Sequence, residues 1–296
     1  MNSIPKFVLN NGITIPSLGL GTYRIIDPET VEFVIKNAIS SGYRLIDSAI
    51  GYRNEETIGK VINELIKDTS LNLKREDFFI TSKLPPKDQG YENCRQAFLS
   101  SLQRFNMDYL DLFLIHWPGT QKLKPSDPKH AINRKASYKA LEELYTSGKI
   151  RAIGVSNYTH RHLTDLLSYC TIIPAVLQVE LHPLYYQKEL IDLCKEYKIQ
   201  VQAYSSLGEG KLVNGEIEIP VIKDIAKKNN VSVAQILLRW GYQHGFIVIP
   251  KSVKAERIKE NLNIFNFELS NEDMEALDSL GKSQTTKFCW DPTDIY

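Results

Sequence analysis

The sequence predicts an α/β protein in which eight strand–helix units close a (β/α)8 barrel of the TIM type, with an N-terminal β-hairpin closing its bottom. Three observations carry this expectation. Eight short apolar runs recur along the 296 residues, and amphipathic stretches separate them. Several of the runs are apolar at consecutive positions, as strands covered on both faces are. A parallel neighbour is reached only through a crossover, so the alternation implies a parallel sheet, and eight units favour closure.

The chain opens with "KFVLNNGITIP", two apolar runs around Asn10, Asn11 and Gly12. Asn and Gly accept the positive φ of a tight turn, which predicts a hairpin. The barrel strands are expected at 17–21, 43–49, 78–84, 110–116, 150–156, 175–181, 199–205 and 246–250. Helical stretches between them include "ETVEFVIKNAIS", "YENCRQAFLSSLQRF" and "KELIDLCKEYK". In the last, Leu190, Ile191, Leu193 and Cys194 form an apolar stripe at helical spacing. Ser232 with Gln235, and Ser270 with Asp273, have the spacing of a capping box. The polar, Pro-bearing segment 118–133 reads as the longest irregular connection, on the active-site side. No linker-like stretch interrupts the pattern, so residues 1–296 read as one domain.

Composition removes several function classes. Lys plus Arg is 36 and Asp plus Glu is 35, so no strong field points to nucleic acid or an anionic membrane. Cys94, Cys170, Cys194 and Cys289 lie far apart without a C-x-x-C pair, which suits neither a disulfide framework nor a structural metal site. The first residues lack an apolar signal region, and no run approaches a membrane span. The expectation is a cytoplasmic protein with no membrane or nucleic-acid partner.

Barrel enzymes carry their chemistry at the C-terminal ends of the strands. There the sequence places Asp47, Lys83 and His116, each ending an apolar row on three neighbouring strands. Tyr52 follows the second strand closely enough to fold back over the same rim. Asp47 and Lys83 alone read equally well as a structural ion pair, but a buried ion pair is weak evidence for stability alone. All four together suit protonation of an oxygen: Lys83 would lower the phenol pKa of Tyr52, Asp47 would hold Lys83, and neutral His116 would orient the substrate oxygen. The set has neither an activated nucleophile nor an open metal site, so carbonyl reduction by hydride fits. "GLGTYR" and "GEGK" match neither a Rossmann nor a P-loop fingerprint.

At these residues the chain resembles the aldo-keto reductase family, over nearly its whole length. "GYRLIDSAIGYRNEETIG", "LDLFLIHWP", "GVSNY", "LQVELHP", "QAYSSLG" and "IPKSVKAERIKEN" carry the resemblance. It implies that Asp47, Tyr52, Lys83 and His116 form the catalytic tetrad, with Tyr52 as general acid, and that the cofactor is NADPH/NADP+. Gly21, Thr22, Ser156, Asn157 and Gln178 match cofactor positions, the last three those that bind the nicotinamide carboxamide. Tyr204 matches the ring stacked on it, and Ser205 and Leu207 match pyrophosphate contacts. Lys251, Ser252, Val253, Arg257, Glu260 and Asn261 match the adenosine end and its 2′-phosphate. Two cations before and in a helix's first turns suit a phosphate, and Arg257, Glu260 and Asn261 share a helix face. Tyr23 and Trp117, with Tyr52 and His116, match the substrate pocket. The implied activity is NADPH-dependent reduction of a small-molecule carbonyl by a monomer with no obligate protein partner. A regulatory channel subunit or a lens-type structural protein on the same barrel is the alternative, and a metal-dependent hydrolase is disfavoured by too few histidines at strand ends.

Overall fold

The structure is a computed structural model and describes residues 4–283 and 285–296. Strands β1 (Lys6–Val8) and β2 (Thr14–Pro16) form the expected antiparallel hairpin, with Phe7 opposite Ile15. Eight parallel strands follow: β3 (Gly19–Gly21), β4 (Leu45–Asp47), β5 (Phe79–Leu84), β6 (Leu110–Ile115), β7 (Ile150–Ser156), β8 (Val176–Glu180), β9 (Gln200–Tyr204) and β10 (Ile247–Val248). Each lies inside the run predicted for it. A parallel bridge between Leu18 and Val248 joins the first barrel strand to the last, supported by the Val248 N–H to the Ser17 carbonyl at 3.0 Å.

Helices α1 (Pro28–Ser40), α2 (Glu55–Lys67), α3 (Tyr91–Phe105), α4 (Lys129–Thr146), α5 (His160–Leu167) and α6 (Lys188–Glu196) each connect two consecutive strands. Two helices, α7 (Pro220–Asn229) and α8 (Val233–Gln243), lie between β9 and β10. The chain then adds α9 (Ala255–Leu262) and α10 (Asn271–Ser283). Local chemistry starts these helices. Asp27 accepts the Thr30 N–H with Pro28 just inside α1, and Ser232 and Gln235 cap α8 reciprocally. At α10 the Asp273 N–H donates to Ser270 Oγ at 3.2 Å.

The core has two layers. Inside the barrel, Leu45, Phe79, Leu112, Leu114, Ala152, Val176 and Ile247 pack together with Leu9 and Ile15 of the hairpin. Asn10 and Asn11 donate to the Pro174 and Arg151 carbonyls near the starts of β8 and β7, so the hairpin covers the N-terminal end of the barrel. The outer layer lies between strands and helices and is the larger of the two.

One expectation needs correction. The irregular connection after β6 ends at Pro128, because Lys129 to Asn133 already form the start of α4. Polar residues there read as loop, but buried His130 accepts the Thr120 N–H through Nδ1 at 2.8 Å and thereby ties the helix to the connection. The segment between β9 and α7, 205–219, is the longer of the two.

Candidate active site

Parallel register sets the geometry of the mouth. Asp47 stands opposite Gly21 and Thr81, Lys83 opposite Leu114, and Ser156 opposite Gln178. These strand ends deliver three ionisable groups to one rim. The Lys83 ammonium, fully buried, donates to Asp47 Oδ1 at 2.6 Å, to the Ser48 carbonyl at 2.8 Å and to Tyr52 Oη at 3.3 Å. Tyr52 reaches it from a single 3-10 turn, Ile50–Tyr52, which follows β4 directly. Asn54 stabilises that turn by accepting from Ser48 Oγ and donating to the Thr22 and Ile25 carbonyls. His116 follows β6 by one residue, its N–H donating to the Leu84 carbonyl at 3.0 Å, and its ring lies 5.7 Å from that of Tyr52. The structure therefore brings Asp47, Tyr52, Lys83 and His116 together.

The electrostatics differ from the sequence reading at one point. Burial, then the Asp47 charge, push the Tyr52 phenol well above 10. The expectation that Lys83 draws it down is corrected for the protein alone: the ammonium is paired with Asp47, so the phenol meets a nearly neutral pair in a dry setting. Burial also lowers the Lys83 pKa, while Asp47 opposes that shift by charge and hydrogen bond. Burial and the Lys83 charge hold His116 well below 6.5, so its imidazole is neutral, as expected.

Beside this group lies a polar floor. Gln178 Nε2 donates to Asp47 Oδ2 at 2.7 Å and to Gln202 Oε1 at 2.6 Å, and among the described residues its carbonyl oxygen accepts no hydrogen bond. Asn157, with φ of 62°, donates through Nδ2 to the His116 carbonyl and to Ser156 Oγ. Its Oδ1 accepts from Tyr204 Oη at 2.5 Å, which fixes the Tyr204 ring. Thr22 Oγ1 donates to the Asp47 carbonyl, and the Gly21 N–H to that of Pro250. A Cβ at Gly21 would lie 2.7 Å from the Ile249 carbonyl oxygen, so the position is closed to larger residues. Ser205, at φ of 50°, begins the segment after β9, and half-buried Leu207 packs against the outer core.

The other predicted residues lie around the β10–α9 turn and at the mouth. Lys251 is next to Gly21, and burial followed by the Arg24 charge lowers its pKa. Ser252 Oγ accepts the Lys254 N–H in the turn before α9, and Val253 is exposed there. Arg257 is exposed, Glu260 half-buried and Asn261 buried, so the shared helix face runs from solvent into the protein. Among the described residues neither Lys251 nor Arg257 has an ion-pair partner, and no side chain caps the start of α9. Tyr23 and Trp117 flank the mouth, 5.1 Å from the Tyr52 ring and 6.0 Å from that of His116.

Sequence reasoning missed Gln202, Glu180 and Trp290. Gln202 had a legible signal, a polar residue two positions before Tyr204 on a buried strand face. Trp290 had none, because only the folded tail brings it 4.8 Å from Trp117. Among the described residues no group of three or more His, Cys, Asp or Glu is arranged to hold a metal.

A profile of the aldo/keto reductase family matches residues 17–282. The chain belongs to this family. It is 48% identical over 276 residues to a glyoxal reductase of Bacillus subtilis, covering 93% of this chain and 92% of that protein. It is 41% identical to the 9,11-endoperoxide prostaglandin H2 reductase of Trypanosoma cruzi, covering 93% of this chain and 91% of that one. A crystal structure of an aldo/keto reductase from Brucella melitensis superposes with a TM-score of 0.83 at 39% identity, covering 94% of this chain and all of that one. As an aldo-keto reductase the protein is an oxidoreductase acting on small-molecule carbonyls by reduction. No helix among its described residues is long and apolar enough to cross a membrane.

Proposed function

We propose that this aldo-keto reductase uses NADPH to reduce aldehydes and ketones, reactive dicarbonyls such as glyoxal among them, to alcohols, with Tyr52 as general acid. The observation that carries the proposal is the Asp47–Lys83–Tyr52 chain at 2.6 and 3.3 Å beside the neutral ring of His116.

The donor set suits the cofactor. The Gln178 carbonyl oxygen is free to accept from a carboxamide, and the fixed Tyr204 ring offers a flat face. Lys251 and Arg257 provide the cations that a 2′-phosphate requires at the start of α9. When bound, NADPH supplies a hydride to the carbonyl carbon. His116, as a neutral imidazole, donates a hydrogen bond to the carbonyl oxygen and orients it. Tyr52 gives its proton to that oxygen as negative charge builds there, and the Lys83 ammonium stabilises the phenolate left behind. Asp47 keeps Lys83 charged and in place. Water returns the proton to Tyr52 after the alcohol leaves.

The test is NADPH consumption by purified protein with glyoxal, methylglyoxal and 4-nitrobenzaldehyde, run in parallel with NADH. Turnover with NADPH preferred over NADH is the expected result. Tight NADPH binding without turnover of any carbonyl would instead support the regulatory reading.

A further inference from the structure

The carboxylate of Glu180 ends β8 two residues beyond Gln178, is completely buried, and contacts none of the proposed reacting groups. Such a charge is costly unless it is fully hydrogen-bonded. Glu180 Oε1 accepts from the Phe288 N–H at 2.6 Å and from His182 Nε2 at 3.1 Å. Its Oε2 accepts from Lys287 Nζ at 2.8 Å and from the Cys289 N–H at 3.0 Å. Two of the four donors are consecutive backbone amides, so the carboxylate fixes the path of the tail and not merely a side chain.

The next residue is Trp290, 54% exposed, with its ring edge-on to Trp117 at 4.8 Å. Trp117 in turn stacks beside His116. The same short segment is wedged against the connection after β9. Cys289 Sγ lies 3.3 Å from Ser205 Oγ, and a Cβ on Gly208 would lie 2.7 Å from Leu212 Cγ and 2.9 Å from Phe288 Cε2. Further on, His162 Nε2 contacts the Ile295 carbonyl at 2.8 Å and Arg134 donates to that of Tyr296 at 2.5 Å. The span carrying Trp290 is thus strapped between two anchors.

We infer that Glu180 is a positioning residue: it latches 287–289 so that Trp290 forms an outer wall of the carbonyl pocket against Trp117. The wall's role rests on the proposed reductase activity; the latch itself does not. Glu180→Gln puts an amide donor against the Lys287 and Cys289 donors and frees the segment. The KM for 4-nitrobenzaldehyde then rises roughly 2- to 10-fold, the range expected for losing one aromatic contact. Its kcat and the KM for glyoxal stay within about twofold, since a small dicarbonyl does not reach the wall. Trp290→Ala gives the same split, and the double variant is no worse than Trp290→Ala alone, because Glu180 acts through Trp290. Equal KM changes for both substrates, loss of kcat alone, or additive effects would overturn the inference.

A readout independent of turnover is tryptic cleavage after Lys287, followed by mass spectrometry. Glu180→Gln should be cut there at least tenfold faster, with cleavage elsewhere unchanged. Unchanged cleavage after Lys287 would sink the latch, and faster cleavage throughout would mark a merely structural defect. If Glu180→Gln does not fold, Lys287→Met removes one donor from Glu180 and should give the same KM split at smaller size; no split there would count against the latch. If the wild-type protein turns over no carbonyl, the proposed function fails, while cleavage after Lys287, or at Lys282 and the other basic sites as controls, still decides the latch.

Discussion

Asp47 offers two carboxylate oxygens, and each has its own partner: Oδ1 holds Lys83 at 2.6 Å, and Oδ2 holds the Gln178 amide at 2.7 Å. One buried carboxylate therefore links the proton-donating half of the proposed site to the half that would receive the nicotinamide. Tyr52 sits at the outer end of this chain with its proton firmly held. On the proposed chemistry, Tyr52→Phe keeps the ring against Tyr23 and His116 but has no proton to give. Turnover should fall roughly 10²–10⁴-fold, the usual contribution of general acid catalysis. NADPH affinity, followed by fluorescence titration, should stay within about twofold. Near-normal turnover would remove Tyr52 from the mechanism. All four rim residues were legible in the sequence because each interrupts or follows an apolar strand run. Glu180 was not, since its meaning depends on amides more than 100 residues away.

At the level of elements, α2 shows how closely the helices must approach for the rim to hold its shape. Its first turn buries Glu55, which accepts from Ser82 on β5, from Ser101 on α3 and from Arg104. One turn later comes Gly59, where an added Cβ would lie 2.2 Å from the Phe105 carbonyl oxygen at the end of α3. A helical Gly→Ala change normally stabilises by about 1 kcal/mol. Here the sign reverses, because backbone cannot step aside as a flexible side chain would. We expect Gly59→Ala to cost roughly 1–3 kcal/mol, the usual range for overpacking, read from denaturant midpoints at unchanged m-value. A stabilised variant would show that α2 and α3 can part. The sequence disclosed α3 as an amphipathic stretch, but not its contact with α2, since a glycine within a helical pattern looks like a simple weakness. The start of α4 was misread for a similar reason: Lys129, His130 and Asn133 are polar, and only the buried contacts of His130 reveal that they belong to a helix.

Across the whole molecule, the tail anchors respond to acid in separate windows. Burial, against the pull of the Ile295 carbonyl, lowers the His162 pKa from 6.5 to about 4. A histidine kept neutral in the fold contributes its full stability above 6.5 and loses it as pH falls towards about 4. For Glu180 burial acts upward, but His182, Lys287 and the Phe288 N–H overcome it and hold the group at about 2. Its contribution is present above 4.5 and is lost only as pH falls towards about 2. The melting temperature should therefore drop between pH 6.5 and 4, by the equivalent of about 3 kcal/mol at most. His162→Gln, which cannot charge, should flatten that drop; an unaltered acid limb in the variant would exclude His162 as its cause. The eight-strand alternation was fully legible at this scale, and so was the hairpin, because local periodicity and a turn signal specify both. How the tail returns over the mouth was not, because no short-range pattern encodes it.

The parallel bridge between Leu18 and Val248 has a consequence during synthesis. The first barrel strand waits for a partner encoded some 230 residues later in the chain. Until then its edge and the apolar interior around Leu45, Phe79 and Leu112 lack the last staves of the cylinder. A nascent chain stalled before β10 exposes both an unpaired strand and a hydrophobic lumen, the features that recruit chaperones and seed aggregates. Truncations that remove β10 should therefore yield insoluble protein rather than a smaller folded core.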